Sequence, residues 1–365
     1  MERFGFVGLP NAGKSSLYNA LSGGSALAAP YAFATVDPNV GVARVPDHRL
    51  DELAVMSKSR NVVPATVQFT DIGGLVEGAH KGEGLGNRFL AGIREVDAIV
   101  YVLRAHTDPD VPGPTDPLDA LAVLEVELSL ADLDSAERQV DKRRKAAKGD
   151  KSIADEVVAL ESAVKLLAAG TPIYRGDLTD DQRTLLKPYF FLTNKPVMAV
   201  VNIGEGQLAD VESVIGPVRR ELMGAIGAKD DDEIVVGMCV QLEAESSQLD
   251  EADRAEMLDA LGLGEGALPR FVRAAYRALG LRTYLTTGEK ESRAWTFRAG
   301  MRAPECAGVI HTDFQRGFIR AETIQWDELL AIGSWNTARE QGKVRSEGKD
   351  YVVADGDVME FRFNV

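Results

Sequence analysis

A glycine-rich segment near the start of the chain has the residue types and spacing of a phosphate-binding loop. Residues 8–15 (GLPNAGKS) match G-x-x-x-x-G-K-[ST] directly after an apolar run and before a helical one. The glycines let backbone N–H groups turn toward phosphate oxygens, and the following helix N-terminus adds the positive end of its dipole. We expect Lys14 to reach the β- and γ-phosphates and the Ser15 hydroxyl to ligate Mg²⁺. The residues predicted to hold the nucleotide here are Asn11, Ala12, Gly13, Lys14, Ser15 and Ser16.

Two further segments carry candidates for contacts to the metal and the γ-phosphate. Asp71 ends an apolar run, and an aspartate at a strand end beside a phosphate loop is typical of the carboxylate that reaches Mg²⁺ through water. Gly74 can offer its backbone N–H to the γ-phosphate without interference from a Cβ. Thr35 is either an ordinary loop threonine or the one that joins Mg²⁺ when the γ-phosphate is present. The predicted catalytic set is Lys14, Thr35, Asp71 and Gly74, with Ser15 and Thr35 as metal ligands.

The segment from Asn202 to Glu205 (NIGE) stands where GTPases normally carry N-K-x-D. The aspartate of that motif accepts hydrogen bonds from guanine N1–H and N2–H₂. Glu205 is one methylene longer, and Ile203 replaces the lysine that covers the base. A site that is not built around guanine need not reject adenine, so we expect ATP to be preferred over GTP, with Asn202 and Glu205 at the base.

These motifs need a sheet to bring them together. Buried strands are predicted from short, nearly continuous apolar runs separated by helical stretches, at residues 4–7, 66–70, 98–103, 196–201 and 234–240. Such runs are typical of a parallel sheet covered by helices on both faces. The expected fold class is therefore α/β, and the long gap between the third and fourth runs indicates an insertion.

The insertion has the pattern of two paired amphipathic helices. Apolar residues recur in steps of three and four over residues 121–131 and again over 153–167. Between Lys142 and Lys151 lie six cations, at the tip of the expected antiparallel hairpin. This tip either contacts rRNA phosphates or is a solvated connection between the helices.

Composition excludes several classes of protein. The chain has 365 residues, with 41 Lys plus Arg against 56 Asp plus Glu and a net charge of −15, which argues against a nonspecific nucleic-acid coat protein. Two cysteines are too few for a disulfide framework. No apolar run approaches the roughly 18 residues of a membrane span, and no leader-like segment precedes the first strand, so we expect a cytoplasmic protein without a membrane partner.

Taken together, these residues resemble the YchF or Obg-like ATPase family, a branch of the Obg GTPases in the TRAFAC class. The resemblance covers essentially the whole chain. Its segments are GLPNAGKSS, ATVDPNVG, TDIGGLVEGAHKGEGLGNRFL, LADLDSAERQ, NIGE, YLTTGEKESRAWTFRAG, IHTDFQRGFIRAE and VVADGDVMEFRFNV.

The resemblance implies a division into three parts. Residues 1–118 and 195–280 would form a discontinuous Obg-type G domain with a mostly parallel sheet. Residues 119–194 would form a helical coiled-coil insertion, and residues 281–365 a TGS domain with the ubiquitin-like β-grasp fold.

It also implies an activity. The family resemblance predicts Mg²⁺-dependent hydrolysis of ATP to ADP at the β–γ phosphoanhydride, with relaxed GTP use, by a monomer that binds the ribosome at its large subunit or as the 70S particle. Asn11 stands where potassium-responsive relatives have an asparagine, so K⁺ is a second candidate cofactor. Leu75 takes the place of the water-orienting glutamine of many GTPases, so either hydrolysis is slow or another group positions the water.

One departure leaves the attacking water without an assigned partner. Some family members carry a histidine, implicated in hydrolysis, in the loop after the third predicted strand; here that loop reads DPDVPGPTDP, and His106 precedes it. We therefore assign no general base. Two other functions stay open, namely a ribosome- or RNA-binding module that uses ATP mainly as a structural ligand, and a conventional Obg-type GTPase.

Overall fold

The computed structural model describes residues 2–23, 40–72, 85–150, 153–226 and 233–364. The strands are β1 (Arg3–Val7), β2 (Val40–Arg44), β3 (Val62–Val63), β4 (Thr66–Asp71), β5 (Ala98–Arg104), β6 (Val197–Asn202), β7 (Val235–Met238), β8 (Leu281–Thr286), β9 (Ser292–Arg298), β10 (Phe318–Gln325), β11 (Arg345–Glu347) and β12 (Asp357–Phe363). Within these residues, no helix is both long enough and apolar enough to cross a membrane.

Helices occupy most of the remaining described residues. They are α1 (Lys14–Gly23), α2 (His48–Ser57), α3 (Leu85–Arg94), α4 (Pro117–Ala147), α5 (Ala154–Ala168), α6 (Asp180–Leu186), α7 (Val211–Ile226), α8 (Val240–Ser246), α9 (Glu251–Ala260), α10 (Ala267–Ala278), α11 (Ala303–Ile310), α12 (Thr312–Arg316), α13 (Trp326–Ile332) and α14 (Trp335–Glu340). Short 3-10 helices cover Ile173–Arg175, Lys187–Tyr189, Leu192–Asn194 and Glu205–Asp210.

The chain forms two compact units by its internal contacts, residues 1–42 with 68–275 and residues 43–67 with 276–365. This differs from the sequence prediction, which placed residues 43–67 in the first domain. The physical reason is that β3 pairs in parallel with β9, and Ser59 hydrogen-bonds to the Ser292 hydroxyl at 2.7 Å. Residues 119–194 lie within the first unit, and their separation as an insertion remains a prediction.

The first unit contains the predicted parallel sheet. Its strand order is β2-β4-β1-β5-β6-β7, and the pairs β4–β1, β1–β5, β5–β6 and β6–β7 are parallel. All five predicted strands are present, and β5 and β6 are buried along their whole length. Strand β2 was not predicted, because its residues alternate between buried and half-buried instead of forming a continuous apolar run. Since parallel strands point the same way, the C-terminal ends of β1, β4, β5, β6 and β7 meet at one edge.

Helices α4 and α5 form the two periodic segments found in the sequence. Asp116 caps α4 by accepting hydrogen bonds from the backbone N–H groups of Leu118 and Asp119, with a proline at the first helical position. The helices share a buried apolar cluster that includes Ala136, Val140, Ala159, Leu160, Ala163 and Leu167. The predicted basic tip is the last part of α4 and the turn after it; Lys151 itself lies outside the described residues.

A buried carboxylate joins α4 to the chain that leads into β6. Asp132 is fully buried and accepts hydrogen bonds from the backbone N–H groups of Leu192 and Thr193 at 2.9 and 2.7 Å, and from the Thr193 hydroxyl at 2.8 Å. Burial raises the pKa of Asp132 to about 6, although these hydrogen bonds and nearby Arg94 favour its charged form. The LADLDSAERQ segment therefore contains a structural cap.

The second unit has a mixed six-stranded sheet of order β11-β10-β12-β8-β9-β3. Strands β8 and β9 are antiparallel, as are β10 and β12, while β12 and β8 run parallel. One core cluster of this unit combines strand residues with α11, and includes Tyr284, Phe297, Cys306, Ala307, Phe318 and Met359. Assignment of this unit to the TGS class remains an implication of the resemblance.

Candidate functional site

A cavity of about 910 Å³ lies at the C-terminal edge of the parallel sheet. It is lined by the phosphate loop, by the loop after β5, by the NIGE segment and by α8 with its flanking residues. Ligand sites of open parallel sheets occur at this edge, and the volume suits a small-molecule cofactor. The sequence motifs thus meet in one place.

The phosphate loop has the backbone conformation that its sequence predicts. Asn11 and Gly13 both have positive φ, 63° and 100°, and α1 starts at the next residue, Lys14. A Cβ at Gly13 would stand 2.5 Å from Asn202 Nδ2, so only glycine fits there. The tight turn aims the start of α1, with its free N–H groups, into the cavity.

Lys14 is buried within this loop. Its Nζ donates a hydrogen bond to the Leu9 carbonyl oxygen at 2.8 Å. Burial lowers the pKa of Lys14, and the negative charge of Asp71 opposes that shift. A phosphate group nearby would stabilise the charged form of this buried ammonium group. Lys14 is therefore suited to its predicted role in binding the β- and γ-phosphates.

The Ser15 hydroxyl and the Asp71 carboxylate lie together, with Oγ donating to Oδ2 at 2.6 Å. Hard oxygen ligands of this kind suit Mg²⁺, which in nucleotide sites completes its coordination with phosphate oxygens and water. No group of three or more His, Cys, Asp or Glu in the described residues could hold a metal by itself. The donor set therefore fits a metal that arrives with a triphosphate.

Asn202 connects the phosphate loop to α8. It is buried, donates from Nδ2 to the Ala12 carbonyl at 3.1 Å, and accepts at Oδ1 from the backbone N–H of Val240 at 3.2 Å. Ile203 is also buried, so it cannot cover a base in the way that a long lysine stem does. Both residues line the cavity together with Glu205.

Glu205 is exposed at the start of a 3-10 helix and faces the cavity. Cys239, which also lines the cavity, has a raised pKa, mainly because it is buried and in part because the Glu205 carboxylate is near. The carboxylate is thus available to a ligand at this end of the cavity.

Two segments that line the cavity were not predicted from the sequence. The loop after β5 contributes His106, Thr107, Asp108, Pro109 and Val111, and a second lining segment begins at Cys239. Their position directly after the C-terminal ends of β5 and β7 is the signal that could have identified them. The His106 Cβ lies 3.3 Å from where a Cβ on Gly204 would stand, which places His106 beside the NIGE segment. Burial and the charge of Arg104 lower the pKa of His106.

Two predicted site residues, Thr35 and Gly74, lie outside the described residues, as does Leu75. Their roles stay predictions. The structure brings the other predicted residues together. One cavity is lined by Asn11, Gly13, Lys14, Ser15, Ser16, Asn202 and Glu205. The Ala12 carbonyl accepts a hydrogen bond from Asn202, and Asp71 accepts one from Ser15.

A glycine-rich loop between a parallel strand and a helix, with an aspartate on the neighbouring strand, defines a P-loop nucleotide-binding domain of the GTPase type. A family model described as "50S ribosome-binding GTPase" matches residues 3–153. A second one, the YchF-type GTPase C-terminal domain described as "Protein of unknown function (DUF933)", matches residues 281–364.

Full-length relatives agree with these matches. The chain is 45% identical to the "Ribosome-binding ATPase YchF" of Bacillus subtilis over 99% of both chains, and 46% identical to that of Haemophilus influenzae over the same shares. It is 36% identical to "Obg-like ATPase 1" of Pongo abelii, over 99% of this chain and 92% of that protein.

A solved structure extends the similarity to the fold. The Schizosaccharomyces pombe YchF GTPase superposes with a TM-score of 0.86 at 32% identity, over 99% of this chain and 97% of that one. The chain belongs to the YchF family of Obg-like ATPases.

Proposed function

We propose that this chain is a Mg²⁺-dependent ATPase that hydrolyses ATP to ADP and associates with the ribosome in the cytoplasm. The observation that carries the nucleotide part is the phosphate loop, which lines a 910 Å³ cavity, with Ser15 Oγ 2.6 Å from Asp71. Its full-length relatives are named as ribosome-binding ATPases, which supports the reaction and the partner.

Each residue of the site is assigned to a different part of the Mg²⁺–triphosphate group. Lys14 would bind the β- and γ-phosphates, Ser15 and Thr35 would ligate Mg²⁺, and Asp71 would reach the metal through water. The Gly74 N–H would bind the γ-phosphate. When bound, Mg²⁺ would neutralise negative charge on the phosphate oxygens, and hydrolysis would release ADP and inorganic phosphate.

The base end of the cavity supports ATP as the preferred nucleotide. Glu205 offers an exposed carboxylate on a side chain longer than the aspartate that reads guanine, and Ile203 is packed into the core. Residues 202–205 therefore lack the short acid and the covering lysine of the guanine-reading motif, on which discrimination against adenine depends. Hydrolysis of GTP is expected to be the weaker activity.

The contact with the ribosome is proposed to involve the tip of α4. Two of its six cations are engaged within the protein, because Arg143 pairs with Glu156 at 3.4 Å and Arg144 with Glu161 at 2.7 Å. Lys142, Lys145 and Lys148 are exposed and make no ion pair with any described residue. These three lysines are the candidates for rRNA phosphates, and the large subunit, alone or within the 70S particle, is the proposed binding partner of a monomeric chain.

K⁺ is proposed as an accessory cation near Asn11, which lies in the cavity. Faster hydrolysis in K⁺ than in Na⁺ buffer is expected, and equal rates would remove K⁺ from the proposal.

Calorimetric titration of ATP, ADP and GTP into the wild type and Lys14→Ala tests the nucleotide site. We expect ATP to bind at least as tightly as GTP, and Lys14→Ala to weaken ATP binding by at least about tenfold, because the main charged group that faces the phosphates is removed. Undiminished ATP affinity in Lys14→Ala would refute the site, and GTP binding tighter by tenfold or more would indicate a conventional GTPase.

Sedimentation with ribosomes tests the second half of the proposal. Ribosome binding is measured with ATP, with ADP and without nucleotide. A nucleotide-controlled factor binds differently in these states. Equal binding in all three would instead indicate a ribosome-binding module that uses ATP as a structural ligand.

A further inference from the structure

Arg104, the last residue of β5, is a buried arginine that the nucleotide-binding motifs do not include. Only 3% of it is exposed, and it makes no ion pair with any described residue. Its guanidinium instead donates to three backbone carbonyls of the loop that follows β5. Nε donates to His106 O at 3.0 Å, and Nη1 donates to Val111 O at 3.0 Å and Pro112 O at 3.4 Å.

These three carbonyls lie at the two ends of a loop that has no helix or strand of its own. Within the loop, only a local turn is formed, in which the N–H groups of Asp110 and Val111 bind Asp108. One guanidinium with five donors in a fixed plane can hold both ends of such a loop at once, and a lysine ammonium cannot reproduce that fork. The start of the loop is also held by Asn202, whose carbonyl accepts from the N–H groups of Ala105 and His106 at 2.9 and 3.3 Å, so the contribution of Arg104 is to tie the end of the loop to this anchored start.

The same loop is one wall of the nucleotide cavity. His106, Thr107, Asp108, Pro109 and Val111 all line it. A wall that is already ordered costs less conformational entropy when a ligand binds than one that must be ordered at that moment.

The loop is also tied to the phosphate loop. Asn11 Nδ2 donates to Pro112 O at 3.2 Å, so a single carbonyl receives both Asn11 and Arg104. Asn11 holds this position in a left-handed backbone conformation, with φ of 63°. A change at Arg104 would thus be transmitted to the residue that opens the tight turn of the phosphate loop.

We propose that Arg104 is a positioning residue for nucleotide binding, which holds the loop from His106 to Pro112 against Asn11 and so preforms one wall of the cavity. This inference rests on the proposed ATP site. Its effect falls on binding of the nucleotide rather than on the chemical step, because Arg104 contacts only backbone carbonyls.

The test compares Arg104→Met, Arg104→Lys and a matched control, Arg183→Met. Arg183 also fixes backbone carbonyls, those of Ile173 and Gly176 at 3.0 and 2.7 Å, but it does not line the cavity. Affinities for ATP and ADP are measured by calorimetry, KM and kcat by phosphate release, and folding by urea denaturation.

We expect Arg104→Met to weaken ATP and ADP binding by about tenfold or more, and to raise KM for ATP with kcat largely retained. Arg104→Lys should resemble Arg104→Met, since it keeps the charge but loses the fork. Arg183→Met should keep the wild-type affinities. Wild-type affinity in Arg104→Met, or an equal loss in Arg183→Met, would overturn the inference. Absence of ATP binding by the wild type would instead defeat the proposed function.

If Arg104→Met does not fold, a double-mutant cycle of Arg104→Lys with Asn11→Gly replaces it. Glycine accepts the left-handed conformation of Asn11 and removes only its side chain. Because both side chains act on the Pro112 carbonyl, their effects on the dissociation constant of ADP should be clearly non-additive. Additive effects would show that Arg104 does not act through this junction.

Discussion

Single side chains hold the nucleotide site by binding backbone carbonyls at the sheet edge. Lys14 donates to Leu9, Asn202 to Ala12, and Arg104 to the loop after β5. Such bonds satisfy buried polar groups and fix loops that have no regular structure. Substitutions at these positions are therefore expected to alter ligand affinity through loop order.

Base preference can be tested at Glu205. Glu205→Asp restores the acid length of the guanine-reading motif, so the affinity for GTP relative to ATP should rise, by about tenfold if both guanine N–H groups are engaged. Competition of ATP and GTP for a fluorescent ADP analogue gives this ratio directly.

Glu245→Asp is the matched control, since Glu245 also lines the cavity, on α8 and outside the NIGE segment, and undergoes the same change. Its ratio should stay at the wild-type value. An unchanged ratio in Glu205→Asp would show that acid length at this position does not set the preference.

The buried carboxylate of Asp132, which joins α4 to the chain before β6, should make the free energy of unfolding depend on pH. Asp132 has a pKa of about 6 in the folded chain, against about 3.9 when unfolded. Its contribution to the free energy of unfolding is thus fully present below pH 4 and is lost as the pH rises through 6, by up to about 3 kcal/mol. Relative to Asp132→Asn, which does not titrate, the wild type should lose stability over this range in urea denaturation.

Asp134→Asn provides the comparison on the same helix. Asp134 is exposed and pairs with Arg138. The difference between its free energy of unfolding and that of the wild type should vary little between pH 4 and 7. If Asp132→Asn follows the wild type across this range, the carboxyl of Asp132 does not titrate as inferred.

Sequence patterns identify elements when the signal is local and miss them when the partner is distant. The five buried strands of the first sheet are continuous apolar runs, and the phosphate loop is a contiguous motif, so both could be predicted. The start of α4 at Pro117 lies in a proline-dense stretch that was interpreted as loop, although Asp116 caps the helix there. The role of Arg104 could not be predicted, because its partners are backbone carbonyls, which carry no sequence signature.

The grouping of residues 43–67 with the second unit differs from the predicted division for the same reason. Their contacts are made with residues more than 200 positions later, as between Ser59 and Ser292. No pattern within the segment indicates that pairing.

On the scale of the whole molecule, charge is unevenly placed. The chain carries −15 overall, yet Lys142, Lys145 and Lys148 form an exposed cationic tip. Replacing all three by Gln should weaken ribosome binding, and should reduce the slope of log affinity against log salt by about 2 to 3, at roughly 0.7 to 0.9 for each phosphate that is no longer neutralised. Sedimentation over a series of KCl concentrations measures both quantities.

Replacing Lys165, Lys187 and Lys349 by Gln removes the same charge from other exposed positions. That variant should keep the wild-type slope. Equal changes in the two variants would mean that net charge, and not the tip, governs attachment.

The second unit is built from two segments that are far apart in the sequence, so the ribosome synthesises them at different times. The hydrogen bond between Ser59 and Ser292 can form only after a further 233 residues have been synthesised. At about 5 to 20 residues per second, translation leaves residues 43–67 without their partners for on the order of 10 to 50 seconds. During that interval Leu50 and Leu53, both buried in the finished protein, lack their final cover, so the nascent chain exposes apolar surface until the second unit is complete.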